Sequence, residues 1–258
     1  MGIFSSIKAK ITMEQRYSLS FMKLFFWDIN WIKTIWFNFK VLPFRLAIKM
    51  PIVISYNTKI KNTGEIILPD NAYFGMFSIG VIKIATLEAN DYKIVLNNQG
   101  TFKVGGLIKI HPGARIYVAK DATLSVGNLV GIGANSKVVC FKDIVIGDNF
   151  RMSWNSQIFD TDFHFLQNVS KGFYYQRTKP IRIGDNVFVG NGSTIGKGTI
   201  LQDGCVISCM SKVSGDFTAD GKNLLLSGVP AKIVKVGVEM SSSFDLDKED
   251  ELAREFEQ

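Results

Sequence analysis

Three features of the 258-residue sequence predict an all-β chain wound as a parallel β-helix. Aliphatic residues recur at a strict period of six through Ile183, Val189, Ile195, Leu201, Ile207 and Val213. The position after each of the first five is Gly184, Gly190, Gly196, Gln202 or Ser208. The fifth position of each hexad is Val187, Ser193, Thr199, Cys205 or Ser211, small or β-branched every time. An amphipathic helix repeats at three and four residues and a half-buried strand at two, so neither makes this ladder. A period of six fits a triangular coil. Each side carries a short strand with its aliphatic residue pointing inward, and each corner needs a small residue or an unusual backbone angle. One coil cannot bury its own apolar side, so coils must stack. A β-sandwich would instead show alternation with turns every 8–12 residues or so.

Residues 1–55 are of different character and are expected to be partly helical. Residues 17–44 hold ten aromatics, among them Phe26, Trp27, Trp31, Trp36, Phe37 and Phe44, interrupted by Lys23, Asp28, Lys33 and Lys40. No uncharged run reaches the 18 or so residues of a membrane span, so one or two short helices are expected. The aromatics have two readings. They pack on the end of the β-helix or on a neighbouring subunit, the commoner fate of such side chains. Alternatively, residues 17–44 make a peripheral membrane contact, because residues 1–61 hold ten Lys/Arg against two Asp/Glu. Met1-Gly2 with Ser6 matches the short myristoylation pattern. Residues 1–11 have lysines but no apolar stretch with a cleavage site, so no secretory signal is expected.

The β-helix is expected over residues 56–219. Upstream of Ile183 the period continues with faults: Val126-Gly127, Ile132-Gly133 and Val138 are in step, a two-residue slip precedes Ile146-Gly147, and Met152 and Ile158 follow. Segments around Ile60–Leu68, Ile94–Leu96 and Ile108–Ile116 are β-rich enough to supply earlier coils. His111, in Ile110-His-Pro-Gly, reads as a corner residue between coils.

The ladder stops at Ile158 and resumes at Ile183. The interval, loop 159–182, holds Asp160, Asp162, His164, Tyr174, Tyr175, Arg177 and Lys179. Loops on rigid scaffolds often carry function. Imidazole titrates near neutrality and suits a general base, and a carboxylate on its other nitrogen fixes the tautomer. Taken alone, His164 is either such a base or a solvated loop residue.

Residues 220–258 form a C-terminal segment that ends in an acidic tail. Residues 239–258 hold eight Asp/Glu and two Lys/Arg. Three scattered cysteines make neither a disulfide framework nor a CxxC metal pair. A reducing, cytoplasmic setting is expected, at the inner face of the membrane if the aromatic segment touches lipid. Two histidines cannot build a three-imidazole metal site, and no metal is expected. The excess positive charge lies in the aromatic arm without a recognisable binding motif, so no nucleic-acid partner is expected.

The hexads over residues 108–215, the Asp160-Thr-Asp-Phe-His164 loop after Trp154-Asn155, and Gly228-Val-Pro-Ala-Lys232 together resemble the hexapeptide-repeat acyltransferase family, in particular its sugar and capsular polysaccharide O-acetyltransferase branch. The resemblance implies left-handed winding, hence a left-handed parallel β-helix. It implies an acetyl-CoA-dependent O-acetyltransferase acting on a sugar hydroxyl of a glycan or its precursor, in a homotrimer whose sites lie between subunits. Carried over by position, His164 is the catalytic base and Asp162 or Asp160 its orienter. Trp154, Asn155 and Phe188 are candidates for the acceptor pocket, with Phe188 standing where relatives often have Trp. Gly190, Asn191, Ser208, Cys209 and Ser214 fall on the acetyl-CoA track, and Lys212 and Lys232 are candidates for its phosphates. N-acetylation of an amino sugar would use the same fold and base. A non-catalytic β-helix scaffold is the alternative of another class.

Overall fold

In a computed structural model of the chain, which describes residues 26–81, 92–241 and 255, the coils form a left-handed parallel β-helix with three flat faces. Its register explains the hexads. Ile183 pairs with Leu201, Val189 with Ile207 and Ile195 with Val213. Partners here lie 18 residues apart, so three hexads complete one turn.

Face one stacks Ile52–Ile54, Phe77–Ile79, Ile108–Ile110, Val130–Ile132, Arg151–Met152, Phe188–Val189, Val206–Ile207 and Leu224–Gly228, with Ala231–Val236 folded back antiparallel on the last. Face two begins in the first half of the long strand Ile94–Val104. It continues through Arg115–Val118, Lys137–Cys140, Gln157–Phe159, Thr194–Ile195 and Lys212–Val213. Face three begins in the second half of that strand and continues through Thr123–Val126, Asp143–Ile146, Ile181–Ile183 and Ile200–Leu201. Strand Thr58–Ile67 lies against Ile94–Val104 along both faces, as the early β-rich segments suggested.

The interior is built from rows of aliphatics. Ile110, Ile132, Met152, Val189, Ile207 and Leu226 stack on face one, and Ile116, Val138, Ile158, Ile195 and Val213 on face two. All are buried. Each such side chain contributes about 1.5–3 kcal/mol by leaving water.

The corners are held by two side-chain ladders. At the corner between faces one and two, Ser136, Ser156 and Ser193 each donate to a carbonyl of the next coil, Ser153, Gly190 and Ser208, at 2.9, 2.9 and 2.8 Å. Each hydroxyl also accepts an amide from the next coil, from Ser156, Ser193 and Ser211. The small fifth position of those hexads is therefore a hydrogen-bonding position as well as a narrow one. At the corner before face one, Asp148, Asp185 and Asp203 accept the amides of Asn128, Asp148 and Asp185 at 2.7, 2.7 and 3.0 Å. The coil that contains the slip is 20 residues long. Its two additional residues widen the corner between faces two and three at Phe141 and Lys142.

The open end of the solenoid is covered by helix α1, Trp31–Val41, which Asn30 caps by accepting the amide of Lys33. A bare strand edge would expose unpaired backbone groups. Asn38 donates to the Ile52 carbonyl and accepts the Ile52 amide, and Thr34 accepts the Ile54 amide. Phe37 inserts into the core, whereas Trp27, Trp36 and Phe44 are exposed. The aromatic segment is thus divided between packing and surface, and its part before Phe26 lies outside the described residues. Among the described residues no helix is long and apolar enough to cross a membrane. The acidic tail, apart from residues 239–241 and 255, also lies outside them.

Candidate active site

Loop 159–182 leaves the corner between faces two and three and returns at Ile181. Both limbs are tied at its base. Asp162 N–H donates to Arg177 C=O at 2.9 Å and Lys179 N–H to Asp160 C=O at 3.0 Å. The outer part is a short hairpin, Gln167–Asn168 against Phe173–Tyr174.

His164 is exposed near the end of the outward limb. It follows a three-residue turn in which its own amide donates to Asp162 C=O at 2.7 Å, with Phe163 at the centre at φ 64°. A bulky side chain in the left-handed region is strained. Packing supports it: the Phe163 ring lies 5.9 Å from Phe141 and 6.0 Å from Phe159. The Phe163 amide donates to Thr161 Oγ1 at 3.0 Å. Arg177 lies 5.0 Å over the Phe165 ring, which steadies the turn from the other side. Strain held this firmly beside a solvent-facing imidazole is characteristic of functional turns.

The two carboxylates of the loop have different surroundings. Asp160 is fully buried and accepts the amides of Phe141, Lys142 and Asp143 at 2.7, 2.7 and 2.9 Å. Those amides belong to the widened corner that the two-residue slip creates, so Asp160 closes the corner. Asp162 is half-buried and ion-paired with Lys197. Lys197 also donates to Gln176 C=O at 2.5 Å, so one ammonium holds both limbs of the loop. Among the described residues neither carboxylate hydrogen-bonds the His164 ring. The role of Lys197 was not legible as such. Its one sequence signal is a charged residue between two glycines in the regular hexad Ile195-Gly-Lys-Gly.

The other candidates divide between corners. Trp154 and Asn155, Gly190 and Asn191, and Ser208 and Cys209 stack coil on coil at the corner between faces one and two. The chain turns there through Asn155 at φ 58°, and Gly192 N–H donates to Trp154 C=O and Met210 N–H to Asn191 C=O. Gly190 is required by close approach, since a Cβ would come within 2.6 Å of Cys209 N. Trp154 and Cys209 are exposed. Lys232 lies opposite Ser227 in the final hairpin, near this same corner, where Gly228 N–H donates to Ser211 Oγ at 3.1 Å. Phe188 is half-buried on face one, in register with Arg151 and Val206. Lys212 and Ser214 lie instead on face two and at its far corner, Ser214 over Gly196. His164 emerges at that far corner. Within one chain, face two therefore separates His164 from most of the other candidates. Among the described residues no group of three metal-ligating side chains occurs.

No family model matches the chain. It is 33% identical over 201 residues to an uncharacterised 24.8 kDa protein of the cps region of Klebsiella pneumoniae, across 76% of this chain and 84% of that protein. A Dictyostelium discoideum protein assigned as an acetyltransferase is 30% identical over 129 residues, 48% of this chain and 66% of the relative. The solved structure of the polySia-specific acetyltransferase NeuO superposes with a TM-score of 0.52 at 19% identity, covering 79% of this chain and 87% of that one. That likeness is one of fold.

Proposed function

Because the chain belongs to the hexapeptide-repeat acyltransferase family and is an acyltransferase, we propose that it moves an acetyl group from acetyl-CoA to a hydroxyl of a glycan or glycan precursor, with His164 as general base. The observation that carries this reading is the presentation of His164. A strained, packed and doubly tied loop holds one exposed imidazole away from the solenoid wall. His164 takes the proton of the attacking hydroxyl and returns it to the departing thiolate. Asp162, anchored by Lys197, is the carboxylate assigned to steady the turn and the imidazolium. Asp160 is committed to the corner amides.

Acetyl-CoA supplies the activated acyl group as a thioester. The stacked corner of Gly190, Asn191, Ser208 and Cys209 suits its extended arm because the side chains there are small. Lys232, and Lys212 from the adjoining face, are assigned to its phosphates. Trp154, Asn155 and Phe188 are assigned to the acceptor. The separation of His164 from these residues within one chain favours a homotrimer, in which each loop reaches the corner of its neighbour.

The test is CoA release by purified protein given acetyl-CoA and a panel of sugars, for wild type and His164→Ala. Turnover lost by a folded variant supports the base assignment. Turnover with amino sugars alone moves the reading to N-acetylation. Failure to bind acetyl-CoA leaves a non-catalytic scaffold.

A further inference from the structure

Helix α1 is amphipathic in the opposite sense to an ordinary surface helix. Its inward side is Thr34, Phe37 and Asn38, all buried. Thr34 and Asn38 bond the edge backbone groups of Ile52 and Ile54. Such groups point along the direction in which strands stack, so the other side of α1 faces away from the coils. That side is Ile32, Ile35, Trp36 and Phe39, three and four residues apart. All four are exposed, Ile32 at 85%. A surface helix normally turns its charged and polar residues to that side. The apolar surface continues past the turn at Pro43. The Phe44 ring lies 5.9 Å from that of Phe39, and Phe44 and Ile48 are exposed as well. A contiguous apolar surface rimmed by polar groups marks an interaction site.

Cations border this end face. Residues 26–61 hold six Lys/Arg and one Asp. Lys40 follows Phe39 on α1, and Arg45 follows Phe44 and pairs with Asp70 at 2.5 Å. Lys33, Lys59 and Lys93 line a groove of about 610 Å³ on the flank of α1. Lys33 donates there to Tyr56 C=O and Thr58 C=O at 3.2 and 2.7 Å. Burial, and then the charge of Lys93, lower its ammonium below the usual lysine value. Lys40, Lys59 and Lys93 are exposed and make no ion pair among the described residues.

That charge discriminates among occupants. A second copy seated face to face would set these cations against the same cations. Residues 1–25 hold four Lys/Arg and one Glu, so that segment is cationic too. An anionic surface complements the field. Apolar and aromatic side chains at the end of the molecule, bordered by Lys and Arg, match the interface of a bilayer, with rings at headgroup level and cations on lipid phosphates.

We propose that this end face, built on Ile32, Trp36, Phe39 and Phe44, docks the protein on a bilayer that carries anionic headgroups. The coil that launches loop 159–182 stands four strand spacings beyond Ile52–Ile54, about 20 Å, so a docked chain holds His164 clear of the lipid. Docking stands apart from the acetyl-transfer reading and does not require it.

The experiment is co-sedimentation of the full chain with vesicles of phosphatidylcholine alone and of an equal mixture of phosphatidylcholine and phosphatidylglycerol. The variants are Ile32→Gln with Trp36→Gln, which removes apolar surface, and Lys40→Gln with Lys59→Gln, which removes charge. All four positions are exposed, so both variants are expected to keep the wild-type melt and the same CoA release with a soluble acceptor. Wild type is expected to bind the anionic vesicles at least about tenfold more tightly than the neutral ones, the scale of two cations at a charged leaflet. The apolar variant is expected to lose at least about tenfold on anionic vesicles, and the charge variant to lose most of the preference. Anionic binding that survives the apolar variant overturns the assignment to this face. Equal binding to both vesicles overturns the anionic partner. No vesicle binding overturns the proposal. A mass in sedimentation equilibrium that rises with concentration, and falls in the apolar variant, then gives the face to a second copy; an unchanged mass gives it to residues 1–25.

Discussion

Lys197 and Asp162 form an ion pair that joins a regular hexad of the solenoid to the turn presenting His164. The same ammonium grips the returning limb at Gln176 C=O, so removing it releases both sides of the loop. Both partners keep some solvent contact, and such pairs contribute about 0–1 kcal/mol to stability. Lys197→Gln is therefore expected to melt within a few degrees of wild type. Activity is a matter of position, and a displacement of about 1 Å at a reacting group can cost ~100-fold. A kcat loss of about 10–100-fold with an intact melt is the expected result. Unchanged kcat would remove Lys197 from the site.

Asp160 and Asp162, two residues apart, should separate cleanly into fold and activity. Asp160→Asn turns a buried three-amide acceptor into a group that must point N–H at N–H. A buried group left unsatisfied costs about 1–3 kcal/mol, more where charge was involved, so a loss of about 3 kcal/mol is expected in urea unfolding. Asp162→Asn keeps shape and weakens only the pair with Lys197. Its stability is expected to stay within about 1 kcal/mol, with kcat/KM reduced. The reverse pattern would exchange the two roles.

The solenoid was legible because its period is a direct image of its geometry: residues one turn apart, such as Ile183 and Leu201, must both point inward. The slip before Ile146 was visible as a fault, yet its meaning depended on Asp160, which reaches the widened corner from the next coil. The loop announced itself as a gap with one histidine. The partners of that loop did not, because Lys197 touches it only after a full turn of chain. His111 read as a corner residue and lies at one. Its placement beside Lys109 and Arg151 follows from coil stacking, which no local pattern encodes. The aromatic arm was ambiguous for the same reason: Phe37 enters the core and Trp36 does not, and that depends on how α1 docks on Ile52.

The serine ladder offers a test of the corner. Ser156 Oγ donates to Gly190 C=O at 2.9 Å and accepts Ser193 N–H at 3.3 Å, both from the next coil. Ser156→Ala is nearly isosteric, so it strips both bonds without creating a large void. The buried amide and carbonyl left behind cost about 1–3 kcal/mol. Urea unfolding is expected to show that loss with an unchanged m-value, since the coil stays folded. A shift below about 0.5 kcal/mol would mean that water or neighbouring groups replace the hydroxyl.

Acid stability should carry the signature of His111. Its folded-state value, about 4, lies below the usual 6.5 because burial, and then Lys109 and Arg151, oppose a third positive charge. Between pH 6.5 and 4 the unfolded chain takes up a proton that the folded chain refuses, so stability falls as pH falls through that window. The full difference corresponds to about 3 kcal/mol at its lower end. Lys109 acts at the other extreme. Brought down to about 8, it lets the folded chain release a proton earlier than the unfolded one, so stability rises between pH 8 and about 10.5. Carboxylates also lose stability on acidification, so the informative quantity is the difference between wild type and His111→Gln. Urea unfolding of both at pH 7 and pH 4.5 is expected to show a smaller acid loss in the variant, by about 2 kcal/mol. Parallel losses would mean that His111 accepts its proton in the folded protein as readily as in the unfolded chain, and its corner would then be more open to water than its burial implies.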